Sequence, residues 1–296
     1  MRIMILGENS PLGWNTARVF KKDHEIKTID PTEINLYDPI LIQREIVGFS
    51  PDVVVNCIEY NDVDECETEG KKEDVWKLNA GLPGHLASIC SEARVLLVHI
   101  SSSYVFDGKK ELPLFYSEDD EPFPLSVYGK SKLEGEKRII ANNGRYIIVR
   151  TAWLYGIKGR NFLTTILNMA IKNPEKEIKV INDQFGSPTW SLRLALQIER
   201  LLKEKALGLF HATSRGYCSW FELASYFLKK MEIKHRLVPC TAAEYFFSAV
   251  RPANAVLENS RLMMADMNLM TGWRHGLDQF VSRYRQELLD QRKNYV

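Results

Sequence analysis

Arg2-Ile3-Met4-Ile5-Leu6-Gly7-Glu8-Asn9-Ser10-Pro11-Leu12-Gly13 opens the chain, and its reading decides the fold. Arg2–Leu6 is a short apolar run of the kind buried on both faces of a parallel sheet. It enters a turn bounded by Gly7 and Gly13. From Trp14 to Lys22 the apolar residues Trp14, Ala17, Val19 and Phe20 predict a helix. Strand, glycine turn and helix in this order are the setting of a dinucleotide-binding fingerprint. Gly7 permits the tight turn, and Gly13 permits close packing of helix against strand. A pyrophosphate would then meet the helix N-terminus, across Ser10 and Leu12, through free N–H groups and the helix dipole. The next strand, Glu25–Ile29, ends at Asp30, where a carboxylate can accept a ribose hydroxyl. One position departs from the fingerprint. Its middle glycine is Ser10, followed by Pro11, so a Cβ takes up room and a donor is lost. Ser10 can offer its hydroxyl to phosphate instead.

Strands and helices alternate onward from this start. Pro39–Gly48 reads as a helix, Asp52–Ile58 as a strand and Val75–Glu92 as a long helix. Val95–Ser101 is a strand, Ser131–Asn142 a helix and Tyr146–Leu154 a strand. The alternation predicts an α/β fold: a Rossmann-type doubly wound parallel sheet with right-handed crossovers. Residues 1–155 are expected to form the nucleotide-binding domain, and residues 156–296 mainly a smaller C-terminal substrate-binding lobe. Strands around 177–213 are expected to return to the main sheet, Gly208–Thr213 among them. Ser219 caps a helix through Met231 whose stripe of Phe221, Leu223, Ala224, Phe227 and Leu228 is core. Ligands of such sheets bind beyond the carboxyl ends of the strands. That places Gly7–Gly13, Asp30, Cys57–Asn61 with Ile58, Ser101–Tyr104 and Thr151–Tyr155 on one rim.

Composition narrows the class. A chain of 296 residues can bury a large core, and 45% hydrophobic with 26% charged residues is ordinary for a soluble enzyme. A net charge of +1 gives no reason to expect nucleic acid or an anionic membrane. Five cysteines (Cys57, Cys66, Cys90, Cys218, Cys240) lack CxxC spacing, which fits reduced thiols and a cytoplasmic location. No apolar run approaches the roughly 18–20 residues needed to span a bilayer. His99, His211 and His235 show no metal-ligand spacing.

The chemistry lies in Val127-Tyr128-Gly129-Lys130-Ser131-Lys132-Leu133. Four residues apart on a helix, Tyr128 and Lys132 share one face. An ammonium beside a phenol favours the phenolate and lowers its pKa from about 10. Such a phenol can exchange a proton with a substrate oxygen. Ser101-Ser102-Ser103 ends its strand on the same rim, where a hydroxyl can orient that oxygen. With a glycine turn for a nicotinamide cofactor, NADH or NADPH, and with Tyr128 and Lys132 also beside that cofactor, where the lysine can hold its ribose, the parts describe hydride transfer at a carbonyl or carbinol.

The chain resembles the extended short-chain dehydrogenase/reductases, and within them the dTDP-4-dehydrorhamnose reductases. The segments that carry the resemblance run along nearly its whole length. They include Val55-Asn56-Cys57, Val63-Asp64-Glu65-Cys66-Glu67, Leu78-Asn79-Ala80 and Ser102-Ser103-Tyr104-Val105-Phe106-Asp107-Gly108. Further on come Arg150-Thr151-Ala152-Trp153-Leu154-Tyr155-Gly156, Gly159-Arg160-Asn161-Phe162, Asp183-Gln184-Phe185-Gly186-Ser187-Pro188-Thr189 and Arg251-Pro252. The resemblance implies a catalytic triad of Ser102, Tyr128 and Lys132. It implies reduction of the C4 keto group of dTDP-4-dehydro-L-rhamnose. It sets Asn61, Val63, Tyr104 and Trp153 around the sugar, Asn79 near the cofactor and Arg251 on the nucleotide diphosphate. A nucleotide sugar is the expected partner, and a homodimer is an assembly it allows. Some members hold Mg²⁺ through a Glu where this chain has Asn15, so no such metal is expected.

Departures gather at the cofactor rim. Ile58 and Glu59 stand where small residues are usual, Asn61 where Thr is usual, Ser103 where Asp is usual and Ala255 where Ser is common. A carboxylate at 59 is expected to repel a pyrophosphate unless paired or protonated. A non-catalytic binding protein on the same fold, like the regulatory β subunit of methionine adenosyltransferase, therefore stays open. A dehydratase or epimerase is also open, although the Asp-Glu that dehydratases place after the catalytic hydroxyl is here Ser103-Tyr104.

Overall fold

The structure is a computed structural model that describes residues 1–293; the last three residues of the expected C-terminal lobe, 294–296, lie outside the described residues. Its frame is a six-stranded sheet. Five of the strands are β1 (Arg2–Leu6), β2 (Glu25–Ile29), β3 (Val53–Asn56), β4 (Leu96–Ser102) and β5 (Tyr146–Thr151). Gly208–His211 is the sixth, and the order across the sheet is Gly208–His211, β5, β4, β3, β1, β2. Every pairing is parallel. The apolar strands explain this directly. β3 and β4 are buried along their whole length, as strands covered on both faces must be. Along β1, Ile3 and Ile5 face one layer while Met4 and Leu6 face the other, the period-two alternation of a strand.

Helices cover both faces. Pro11–Phe20 and Ser191–Lys203 pack on each other and on the Ile3/Ile5 face through Leu12, Phe20, Leu194 and Ile198. Pro39–Phe49 and Leu82–Glu92 cover the Met4/Leu6 face through Ile42, Ile46, Leu82 and Leu86. The order reverses at β1, which lies between β2 and β3, and that reversal opens a crevice at the carboxyl ends. A third core lies apart from the two faces of the sheet, where Leu163, Leu167, Trp190, Phe227 and Phe280 meet.

Several boundaries differ from those expected. The first helix begins at Pro11, not Trp14, because Ser10 caps it. The expected long helix Val75–Glu92 is three pieces, with a π-helical turn at Lys77–Gly81 that carries Asn79. The helix bearing Tyr128 begins at Val127 rather than Ser131, capped by Ser126, so Tyr128 sits in its first turn. The strand expected over Tyr146–Leu154 breaks after Thr151, and Leu154–Tyr155 pairs instead with Thr189–Trp190. Within 177–213, Gly208–His211 joins the main sheet but Glu177–Ile181 does not. The latter pairs with Arg236–Cys240 in a separate two-stranded sheet.

Candidate active site

Register brings the strand ends level. Leu6 lies opposite Ile29 and Asn56, so Gly7, Asp30 and Cys57 follow side by side. Asn56 pairs with His99, which leaves β4 three residues longer and carries Ser102 forward over the crevice. Gly7 has φ +87°, in the left-handed region that favours glycine. A Cβ on Gly13 would overlap the Gly7 carbonyl oxygen, so the helix can approach the turn only without one. The Ser10 hydroxyl donates to the Gly7 carbonyl at 2.8 Å and accepts from the Gly13 N–H at 3.0 Å. The side chain expected to offer itself to phosphate is thus committed to capping its own helix. Pro11 stands at the first helical position, where an N–H has no intrahelical acceptor anyway. Asp30 accepts from the Asn9 N–H at 3.3 Å and from the Thr32 hydroxyl at 3.2 Å, tying the turn to the end of β2.

Ser102, Tyr128 and Lys132 converge beyond β4. Lys132 is fully buried and donates to the Ile100 carbonyl at 2.7 Å. Its ammonium also lies 3.1 Å from Glu59 Oε2. The same carboxylate oxygen accepts the Tyr128 hydroxyl at 3.0 Å. The expected lowering of the Tyr128 phenol does not occur in this arrangement. Burial and the Glu59 carboxylate instead push it well above its usual value, and the Ser102 hydroxyl beside it works the other way. The Lys132 charge that was to tune Tyr128 is answered by Glu59.

The supports of this cluster are buried polar groups. Glu136, two turns along the Tyr128 helix, takes the Ser101 hydroxyl at 2.5 Å and forms a buried ion pair with Arg150 of β5 at 2.6 Å. Asn79 accepts the Tyr60 N–H at 2.8 Å, donates to the Tyr60 carbonyl at 3.1 Å and donates to Ser131 at 3.1 Å. Asn56 accepts the Ile58 N–H at 3.0 Å. Glu59 is therefore held on both flanks.

A cavity of about 420 Å³ joins these groups. Gly7, Ser10, Leu12 and Asp30 line it, as do Asn61, Val63, Tyr104 and Trp153, together with Ile58, Ser102 and Tyr128. Its size suits a small organic ligand. Trp153 stacks on Trp220 with ring centroids 3.5 Å apart, and its φ of +45° is strained for so large a residue. A larger cavity, about 970 Å³, lies along the Phe162–Lys172 helix among Lys158, Lys172 and Lys176. It shares Arg160 with the first, but neither Ser102 nor Tyr128 faces it, so the chemistry belongs to the smaller one.

The model of the RmlD substrate binding domain family matches residues 1–286. The chain belongs to that family. It is 33% identical over 94% of its length to dTDP-4-dehydrorhamnose reductase of Burkholderia thailandensis, covering 97% of that relative. It also superposes on the crystal structure of a dTDP-4-dehydrorhamnose reductase from Clostridium acetobutylicum with a TM-score of 0.92 at 35% identity, covering 96% of this chain and all of the other. The Bacillus anthracis dTDP-4-dehydrorhamnose reductase, solved in complex with NADP, gives 0.91 at 29% identity over 95% of this chain and 99% of its own. The α/β fold expected from the alternating strands is that of these RmlD-family structures.

Within this RmlD-family site, four residues expected at the ligand stand behind it rather than in its walls. Gly13, Asn79 and Lys132 are buried in its supports. Arg251, expected on the diphosphate, gives its guanidinium to Asp64 at 3.0 and 2.6 Å and stacks 3.8 Å over Phe247. Conversely, Asn9, Arg160, Asn161 and Trp220 line the cavity. Gly159-Arg160-Asn161-Phe162 carried the signal for two of them, without indicating a role. Trp220 reads only as a helix start. Asn15, at the position linked to a metal in some members, bonds the Pro11 carbonyl at 3.0 Å and Ser191 at 2.9 Å.

Proposed function

We propose that the protein is an NAD(P)H-dependent reductase of the C4 keto group of dTDP-4-dehydro-L-rhamnose, yielding dTDP-L-rhamnose. The observation that carries the reading is the meeting of Ser102 and Tyr128 in a cavity that also takes in Gly7, Ser10 and Leu12, with Lys132 behind it on Glu59. A bound reduced nicotinamide supplies hydride to the keto carbon. Ser102 orients the keto oxygen, and Tyr128 turns its hydroxyl from Glu59 to that oxygen and gives up the proton. The raised phenol keeps that proton available at neutral pH. Trp153, on its strained backbone and stacked on Trp220, adds an apolar ring edge to the cavity wall that the sugar would meet. No helix among the described residues is long and apolar enough to cross a membrane, and a cytoplasmic reaction fits this reading.

The test is turnover of NADH and NADPH with a panel of 4-keto nucleotide sugars, product identity being read by mass spectrometry. Steady reduction of dTDP-4-dehydro-L-rhamnose is expected. A folded protein that turns over none of the panel would support the non-catalytic reading. Cofactor preference has its own expectation. Lys27, the cation near β2 that could answer a 2′-phosphate, is held by Glu45 at 2.6 Å. Asp30 therefore repels that phosphate by about 1 kcal/mol, so NADH should exceed NADPH roughly fivefold in kcat/KM. Asp30→Asn should erase the difference, and an unchanged ratio would remove Asp30 from cofactor choice.

A further inference from the structure

Glu59 is a group at this site that the family resemblance does not account for and that the proposed chemistry uses only as the resting partner of Tyr128. Four observations describe it. Its Oε2 touches both Tyr128 Oη and Lys132 Nζ. Apart from Glu59, Lys132 has the Ile100 carbonyl as its hydrogen-bond partner, a neutral one, so Glu59 supplies the anion that a buried ammonium requires. The backbone is gripped immediately before Glu59 by Asn56 and immediately after it by Asn79. Its side chain is 27% exposed, whereas that of Lys132 is closed to solvent. A carboxylate that merely obstructed the cavity would need neither shared bonds nor anchored flanks.

We infer that Glu59 is a positioning residue of the reductase site: it neutralises Lys132 and accepts the Tyr128 hydroxyl, thereby keeping Tyr128 in its proton-donating form. This rests on the proposed function for its meaning, but not for its measurement. The groups facing Tyr128 are Glu59 from the loop after β3, Lys132 from its own helix, Ser102 from β4 and the Tyr104 ring at 5.6 Å; Cys66 packs in the same cluster. Of these, Glu59 favours the neutral phenol and Lys132 the phenolate. Removing the carboxylate charge therefore leaves the ammonium unopposed and makes Tyr128 a stronger acid. Its proton is then lost at lower pH, and with it the acid needed for keto reduction.

The experiment compares the wild type with Glu59→Gln and Glu59→Asp. Tyrosine ¹³Cζ resonances of the cofactor-free proteins are titrated, the Tyr128 signal being assigned by its absence in Tyr128→Phe. The same three proteins are assayed for keto reduction across pH. In Glu59→Gln the Tyr128 titration and the alkaline limb of kcat/KM should both move down by at least about one pH unit, a tenfold change in proton affinity. Glu59→Asp keeps the charge and should remain close to wild type. A Tyr128 titration unmoved by Glu59→Gln overturns the inference, above all if dinucleotide binding tightens, since Glu59 would then be only an obstruction. A moved titration in a protein without turnover leaves the control of Tyr128 by Glu59 standing and overturns the proposed function. Turnover with an unmoved titration does the reverse.

Discussion

Tyr128→Phe should lower kcat/KM for keto reduction by about 10²–10⁴-fold while the protein remains folded, the range associated with loss of a general acid. The ring is buried and meets Tyr104 edge-on at 5.6 Å, contacts that phenylalanine keeps. Only the hydroxyl disappears. Its partner Glu59 still has the Lys132 ammonium at 3.1 Å, so no buried charge is stranded and the melting temperature should change little. Dinucleotide binding should also persist, because Gly7, Asp30 and the Pro11–Phe20 helix are untouched. The pair of measurements isolates proton donation: steady-state kinetics must collapse while calorimetric cofactor affinity holds. A variant retaining more than about a tenth of wild-type turnover would remove Tyr128 from the proton transfer.

The frame of this site was legible from residue order alone. An apolar run into Gly7 and Gly13, an acid at the end of the second strand and strand–helix alternation led to the sheet that the structure contains. They also led to the rim on which the cavity opens. Local signals of this kind act over a few residues, and each was read where it lay. The electrostatics were not legible, because they arise between segments far apart in the chain. Glu59 and Tyr128 are 69 residues apart and Arg251 and Asp64 are 187 apart, and no spacing rule connects them. A carboxylate beside the Tyr/Lys face reverses the expected lowering of the phenol, and the guanidinium of Arg251, expected on a phosphate, is paired with the Asp64 carboxylate. Ser10 shows a local version of the same limit. Its replacement of glycine was visible, but its hydroxyl serves as acceptor for Gly13, a cap that depends on the helix beginning at Pro11.

Glu59 also changes how departures from a family pattern should be read. As an isolated substitution it signals conflict with an anionic ligand. In place, it is half of a compensated arrangement in which a buried ammonium and a buried phenol share one carboxylate oxygen. Ile58 likewise fits its setting: Gly7, at φ +87°, leaves only side-chain-free space against it, since a Cβ there would come 2.8 Å from Ile58 Cγ1. The larger residue at 58 thus reinforces the demand for glycine at 7.

Glu136→Ala should destabilise the protein by about 3–5 kcal/mol, the cost of leaving one member of a buried ion pair without the other. Glu136 and Arg150 are almost inaccessible to solvent, joined at 2.6 and 2.9 Å by two parallel bonds. Arg150 Nη1 already lacks a partner and its guanidinium lies 5.1 Å over the Phe106 ring, so truncation removes the carboxylate that answers its charge. The Ser101 hydroxyl loses its acceptor at the same time. At about 2–4 °C per kcal/mol the melting temperature should fall by roughly 6–20 °C. Replacing both partners with apolar residues, Glu136→Leu together with Arg150→Met, should recover most of the loss, because no charge is then stranded. Activity should not recover in parallel. Glu136 is the tie between the helix that carries Tyr128 and Lys132 and the strands that carry Ser102 and Thr151. An apolar contact fills its volume without fixing that register. Stability restored without turnover would identify the pair as the clamp that aligns the triad. A Glu136→Ala variant within about 1 kcal/mol of wild type would show instead that water or a shifted side chain satisfies Arg150.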